Sequence, residues 1–306
     1  MGFGPQLVDL DGDGHDDVIS GSYWPGDLFW FRGLGGGKYA AGAKLKDASG
    51  KDLNAGGKWA TDRDPDMDSL AAAPFAADMD GDGDFDLLVG NIVGHVVLIP
   101  NEGTRTEPRF VAANRRLLAA GGKELQVAGD AGPTMVDWDG DGRLDLIVGA
   151  GDGAVTLFRN EGTKAAPTFA AGVELVVASA GHGSVPRGTE PFGPSGRSKV
   201  CATDYDGDGR LDLLVGDVAW IELPEPDLTD AQRDRREELL KEREKISKVL
   251  AELRGQQVDP ADPRMTRMNE RLSNVYEELR PLQGGTDTHG WVWLFRRKPP
   301  LKTAKE

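Results

Sequence analysis

The sequence predicts an all-β fold, a β-propeller of about four recognisable blades, with an α-helical antiparallel hairpin inserted in the last blade. Three observations predict it. A nine-residue aspartate loop recurs four times, short apolar segments follow each loop at fixed offsets, and one stretch near the end changes abruptly to helical composition. The loops are DLDGDGHDD (9–17), DMDGDGDFD (78–86), DWDGDGRLD (137–145) and DYDGDGRLD (204–212). Their first aspartates are 69, 59 and 67 residues apart, the mark of a repeat architecture rather than a scattered motif.

The elements of one repeat can be taken in order. Pro5, Pro74 and Pro133 stand four residues before three of the loops, in what reads as a first strand. Each loop runs into a second strand ending in glycine: VISG, LLVG, LIVG and LLVG. A third strand follows as LFWFRG (28–33), VVLIPN (96–101), VTLFRN (155–160) and, much delayed, VWLFRR (292–297). Tyr39, Phe110 and Phe169 are each expected to open a further strand. Short antiparallel units of this size suit propeller blades, and a blade cannot bury both faces unless neighbours stack on it. The apolar second strands fit burial between adjacent blades.

The delay before the fourth unit's third strand is filled by DLTDAQRDRREELLKEREKISKVLAELRG, which reads as a helix with Asp227 or Thr229 as N-cap and Gly255 as C-cap. Leu239, Ile246, Val249 and Leu253 form its apolar stripe, interrupted at Arg235 and Glu242, where another surface could dock. A second helix over about 261–280 carries Met265, Met268, Leu272, Val275 and Leu279, and the proline-rich VDPADP separates the two. The pattern predicts an antiparallel coiled-coil hairpin. The propeller is thus expected over 1–223 and 284–300, the hairpin over 224–283, and a tail over 301–306.

At 306 residues the chain can bury a sizeable core, and 42 glycines fit many tight turns. A formal charge of −15 argues against an extended nucleic-acid partner. No apolar run approaches a membrane span of about 18 residues. Cys201 is the sole cysteine, which precludes an intrachain disulfide. No signal peptide precedes the first repeat, and a chain opening inside a structural unit is expected to be a fragment of a longer protein.

In each loop, positions 1, 3, 5 and 9 are carboxylates and position 7 can offer its backbone carbonyl. Anionic oxygens a few ångströms apart repel one another unless a cation or protons neutralise them. Hard oxygen donors on a flexible glycine loop suit Ca²⁺ better than Mg²⁺. An EF-hand begins similarly but needs a bidentate Glu at its twelfth position, between helices. Here that position holds Ser20, Val89, Val148 and Val215, inside strands. About four Ca²⁺ ions would reduce the formal charge from −15 to −7.

At these residues the chain resembles the FG-GAP (VCBS-type) repeats of integrin α-subunit propellers and of many secreted bacterial proteins. The resemblance covers 5–220 and 290–297. It implies calcium ligands Asp9, Asp11, Asp13 and Asp17; Asp78, Asp80, Asp82 and Asp86; Asp137, Asp139, Asp141 and Asp145; and Asp204, Asp206, Asp208 and Asp212. His15, Asp84, Arg143 and Arg210 occupy position 7 and would contribute carbonyls. It also implies an extracellular or periplasmic setting. The FG half of the motif is visible only as Phe3-Gly4 and Phe192-Gly193, and no GAP triplet occurs. Integrin-type propellers close with seven blades, against four loops here.

Other candidates for chemistry are sparse. His15, His95, His182 and His289 are scattered, and the irregular stretch 181–197 holds His182, Arg187, Glu190 and Arg197. Trp30, Trp138 and Trp293 are expected between blades, Trp24 on an exposed turn, and Cys201 in the interior. No nucleophile elbow, zincin or phosphate-loop motif is present. The expected function is a non-catalytic binding, adhesion or scaffold module for a protein or glycan ligand, with the helical hairpin available for a partner or self-association. The alternative is a secreted polysaccharide lyase or hydrolase on the same scaffold.

Overall fold

The computed structural model describes residues 2–56, 67–179, 183–186, 189–256, 258–259 and 262–298. Among these residues the fold is mostly β, with several antiparallel sheets, two helices and no closed barrel. The first sheet runs β1 (Gly2–Val8), β2 (Asp17–Ser22), β3 (Leu28–Phe31) and β4 (Ala43–Lys44); the second runs β5 (Ala73–Ala77), β6 (Asp86–Gly90), β7 (Val96–Ile99) and β8 (Arg115–Arg116). A small pair, β9 (Leu118–Ala119) and β10 (Lys123–Glu124), precedes the third sheet of β11 (Gly132–Val136), β12 (Asp145–Gly149), β13 (Val155–Phe158) and β14 (Val173–Val176). After β15 (Ser184–Val185) come β16 (Lys199–Thr203), β17 (Asp212–Gly216), β18 (Ala219–Glu222), α1 (Asp230–Gly255), α2 (Pro263–Leu279), β19 (Thr286–His289) and β20 (Val292–Phe295). The fourth sheet is β16-β17-β20, among the described residues one strand short of the first three.

Every aspartate loop joins the first and second strands of its sheet, and the registers coincide. Val8 pairs with Asp17, Ala77 with Asp86, Val136 with Asp145 and Thr203 with Asp212, so the ninth loop residue opens the second strand each time. The first strands lie side by side through the series, β5 packing against β1 and β11, and β11 against β16.

Because side chains alternate along a strand, each sheet has two faces. We call forward the face of Ile19, Leu88, Ile147 and Leu214, and rear the opposite one. The forward face of the first sheet (Ile19, Leu28, Trp30) packs on the rear face of the second (Leu87, Val89, Val97, Ile99). Leu88 and Val96 then pack on Leu146 and Val148, and Ile147, Val155 and Leu157 on Leu213, Val215 and Trp293. Each fully buried aliphatic chain contributes about 1.5–3 kcal/mol relative to exposure. The glycine ending the second strand is required by this stacking. A Cβ on Gly21, Gly90 or Gly149 would strike the carbonyl of Ala72, Ala131 or Ser198 in the following repeat.

Two expectations on the sheets are corrected. Tyr39, Phe110 and Phe169 do not open strands; they close isolated bridges to Gly33, Asn101 and Asn160, and the fourth strands begin several residues later. Phe110 and Phe169 are buried, so their recurrence marks packing under the connection. Cys201 is exposed rather than interior, because among the described residues no sheet lies over the forward face of the fourth sheet. Trp30 and Trp293 pack between sheets, Trp138 is buried and Trp24 is exposed; Trp59 lies outside the described residues.

By contact the chain divides into two units: 1–184, 190–219 and 289–306 in one, 185–189 and 220–288 in the other. In the second, β15, β18 and β19 share a three-stranded sheet, and α1 packs on α2. Thr229 caps α1 through a reciprocal box with Gln232, and Asp262 caps α2 ahead of Pro263. Gly255 is the last helical residue and Gln256 the C-cap, one position beyond expectation. The α1 stripe buries Leu239, Ile246, Leu250 and Leu253 against Met265, Val275 and Leu279; Leu250 replaces Val249, which is exposed. Arg235 and Glu242 leave no gap in the stripe. Arg235 pairs with Glu278 at 2.7 Å and Glu242 with Arg271 at 2.7 Å, and the inverse order of the two pairs shows the helices run antiparallel. Among the described residues, no helix is long and apolar enough to cross a membrane.

Candidate metal centres in the aspartate loops

The loops turn tightly because their glycines take positive φ: 67° and 86° at Gly12 and Gly14, 79° and 86° at Gly140 and Gly142. The resulting curl aims the carboxylates inward. In the first two loops, oxygens of Asp9, Asp11 and Asp13, and of Asp78, Asp80 and Asp82, lie within 4.8 Å of one another. In the last two, the trios are Asp137, Asp139 and Asp145, and Asp204, Asp206 and Asp212. The structure therefore gathers positions 1, 3 and 5 in one pair of loops, and positions 1, 3 and 9 in the other.

Positions 9 and 5 also have partners within the protein. Position 9 is a buried staple in all four repeats. One oxygen of Asp17, Asp86, Asp145 and Asp212 accepts from the N–H of loop position 2 (Leu10, Met79, Trp138, Tyr205) at 3.1–3.2 Å. The other accepts from the residue that ends the third strand's run, Gly33, Asn101, Asn160 or Arg297, at 2.6–2.8 Å. Position 5 closes an Asx-type turn, its oxygen accepting from the N–H of His15, Asp84, Arg143 or Arg210 at 2.9–3.0 Å. Asp141 and Asp208 are also paired with the guanidinium of Arg143 and of Arg210. A position-7 arginine thus occupies the carboxylate that the first two loops direct at their neighbours.

The electrostatics match crowded acids. Burial pushes the Asp11 carboxyl above its usual range despite the Arg32 guanidinium at 2.7 Å. Burial and then the Asp82, Asp80 and Asp78 charges push Asp84 up, and burial raises Asp145 and takes Asp86 to about 6. Buried Oδ1 atoms of Asp9 and Asp11 have no hydrogen-bond partner. Orphaned anionic oxygens at that spacing suit a cation, and glycine-rich oxygen cages accommodate the irregular coordination of hard divalent ions.

Basic residues that the sequence reading passed over complete the sites. Arg32, Arg159 and Arg296 stand just after the third strand and reach Asp11, Asp139 and Asp206 of their own loops. Their signal was the recurring FR in LFWFRG, VTLFRN and VWLFRR. Others arrive from the following repeat: Arg105 bonds Asp9, Lys164 reaches Asp78, and Arg297 lies 4.6 Å over the Trp138 ring. Asn101 and Asn160 fold the connections behind the loops, each side-chain oxygen accepting two backbone N–H groups. The NEGT repeated at 101–104 and 160–163 marks them.

Elsewhere, 181–197 supplies no titratable cluster among the described residues. His182 and Arg187 lie outside them, and Arg197 pairs with Asp130 at 3.2 Å. A cavity of about 700 Å³ lies along the first strands, lined by Pro5, Pro74, Pro133, Met135 and Val200 with Lys199 the only charged group among the described residues.

These features define a repeat protein of stacked antiparallel sheets, each turning on an acidic loop. Residues 137–215, from the third loop through β17, match the FG-GAP-like repeat, so the chain carries FG-GAP-type repeat sequence. No curated protein matches the sequence.

Proposed function

We propose that this chain is a calcium-stabilised β-propeller module, non-catalytic, that binds a protein or glycan ligand outside the cytoplasm. The observation that carries it is the set of four loops, each bringing three carboxylate oxygens within 4.8 Å, with Asp9 and Asp11 oxygens buried and unpartnered in the first. The stacking of each forward face on the next rear face supports the propeller arrangement. Ca²⁺ would be held by the position 1, 3 and 5 aspartates in the first two loops, and by positions 1, 3 and 9 in the others. Its chemistry is charge neutralisation. The protein's own groups fix the turns through position 9, and all ligands come from one short loop, so the ion acts on structure. Loops of this kind fill at the millimolar calcium outside cells, with Kd of about 10⁻⁴–10⁻³ M. The apolar lining of the cavity supports binding over acid–base chemistry, and the exposed Tyr23–Trp24 turn is the surface best suited to ligand stacking.

Isothermal titration of chelator-treated protein tests the reading. Binding of about four Ca²⁺ per chain, with Mg²⁺ much weaker, is expected. Absence of calcium heat at millimolar concentration would overturn it.

A further inference from the structure

Three of the four loops are served by an arginine from the end of their own third strand, and the second is not. The residue just before the staple's backbone donor is Arg32, Arg159 or Arg296 in the first, third and fourth repeats. Each pairs with the position-3 carboxylate of its loop, at 2.7 Å to Asp11, 3.6 Å to Asp139 and 3.5 Å to Asp206. In the second repeat that place is held by Pro100, which carries neither charge nor donor. Position 7 adds to the imbalance. Where the third and fourth loops set Arg143 and Arg210, the second sets a further carboxylate, Asp84. Among the described residues, the aspartates of the second loop have a single ion pair, Lys164 with Asp78 at 4.0 Å.

The same proline leaves room. A cavity of about 530 Å³ is lined by Asp80 and Pro100, with Leu98, Leu117 and Phe169 as its apolar wall. That is the size of a pocket for a long side chain or a small ligand. Arg115, opposite Leu98 across the β7–β8 pair, also lines it and makes no ion pair among the described residues. The cavity therefore presents a carboxylate that lacks its cation and a guanidinium that lacks an anion, with apolar surface beside both.

The first loop shows that an arginine and an ion can share position 3. Asp11 gives Oδ2 to Arg32 and keeps Oδ1 buried and unpartnered. By the same division Asp80 can receive a guanidinium and still contribute an oxygen to the trio of its loop.

We propose that the second loop takes its missing arginine from a partner, and that the cavity recognises the C-terminal arginine of a peptide chain. The guanidinium meets Asp80, the aliphatic stem lies along Leu98, Leu117 and Phe169, and the terminal carboxylate pairs with Arg115. A planar guanidinium fits a carboxylate through two parallel hydrogen bonds, which an ammonium cannot match. The proposal deepens the reading above by giving a chemical class to its protein ligand. It does not require the ion, so the two can fail separately.

Fluorescence anisotropy of a labelled hexapeptide ending in arginine, titrated with the full chain in calcium and in EGTA, tests it. Saturable binding is expected in both, since Asp80 keeps its charge with or without the ion. Citrulline or lysine in place of the arginine, or an amidated C-terminus, should each weaken binding about tenfold or more. Pro100→Arg gives the second loop the arginine that the other three own. It should abolish peptide binding while tryptophan fluorescence shows the sheets still folded. Arg115→Gln should weaken the free-carboxylate peptide to the level of the amidated one and leave the amidated one unchanged. A wild-type chain that ignores the peptide at millimolar concentration, equal binding of lysine and arginine peptides, or binding that survives Pro100→Arg would each overturn the proposal. Peptide binding by a chain that takes up no calcium would support it and overturn the calcium reading alone.

Discussion

In the sheet unit, the turns between first and second strands concentrate carboxylates, and the folded geometry leaves Asp9 and Asp11 oxygens buried without partners. In the helical unit, the charges that interrupt the apolar stripe of α1 find opposite charges on α2, Arg235 with Glu278 and Glu242 with Arg271. The difference teaches where each unit's stability resides. The hairpin answers its own electrostatics and needs only apolar packing and caps. The sheets stack on apolar faces but leave acid crowded at every first turn, a cost that the proposed calcium would offset.

The sharpest way to break this comparison is to withdraw calcium. Bound to the folded form alone, each site of the expected affinity adds about 1.4–2.7 kcal/mol at 10 mM Ca²⁺. Melting followed by tryptophan fluorescence, with Trp30, Trp138 and Trp293 buried or half-buried in the sheets, should shift upward strongly against EGTA. Helical ellipticity at 222 nm should shift much less. Equal shifts of both signals would show that the hairpin shares the dependence, and no shift would remove the ion from the account.

The converse substitution acts on the hairpin. Leu239 is fully buried between α1 and α2, and Leu239→Ala removes its packing and leaves a cavity. A loss of about 3–4 kcal/mol is expected in the helical transition, with the calcium response of the fluorescence transition unchanged. Urea unfolding followed at 222 nm measures it.

The two units also differ in how far the sequence disclosed them. The positions of the loops in the fold were legible, because a nine-residue acidic pattern at fixed offsets from apolar strands recurs four times. Their division into two classes was not legible. It depends on whether position 7 is an arginine that folds back onto position 5, as Arg143 and Arg210 do, which is a matter of rotamer and reach. The hairpin was legible as two helices, but the sequence does not separate Val249 from the buried Leu250, since 3.6-residue periodicity leaves adjacent positions nearly equivalent until the partner helix is placed. The exposure of Cys201 was not legible for a different reason: nothing local in the sequence distinguishes a covered strand face from an exposed one.

A third difference is a half-buried cation. Lys199, at the start of β16, donates from Nζ to the carbonyl of Asp130 at 2.8 Å, and burial pushes its ammonium down to about 8. With the folded value below the unfolded one, the unfolded chain holds a proton that the folded chain has released between pH 8 and about 10.5. Stability of the sheet transition should therefore rise with pH across that window, by at most about 3 kcal/mol. Lys199→Met should flatten the rise, and a slope unchanged by the substitution would show that the ammonium is not the source. The hairpin, whose ionisable pairs are exposed, should show no such rise.

The smallest expected effect isolates the local signals that let the hairpin stand without an ion. Thr229 accepts from the Gln232 N–H at 3.3 Å, and the Gln232 side chain accepts from the Thr229 N–H at 2.9 Å, so two of the orphan donors at the start of α1 are satisfied reciprocally. Thr229→Ala removes half of that box and should cost about 1 kcal/mol in the helical transition, while Thr229→Ser retains the acceptor and should cost little. Neither should move the calcium-dependent shift of the sheet signal. If Thr229→Ala alters that shift, the cap is setting how the chain enters and leaves the sheets between β18 and β20, and the independence of the two units fails at the point where the helical insertion begins.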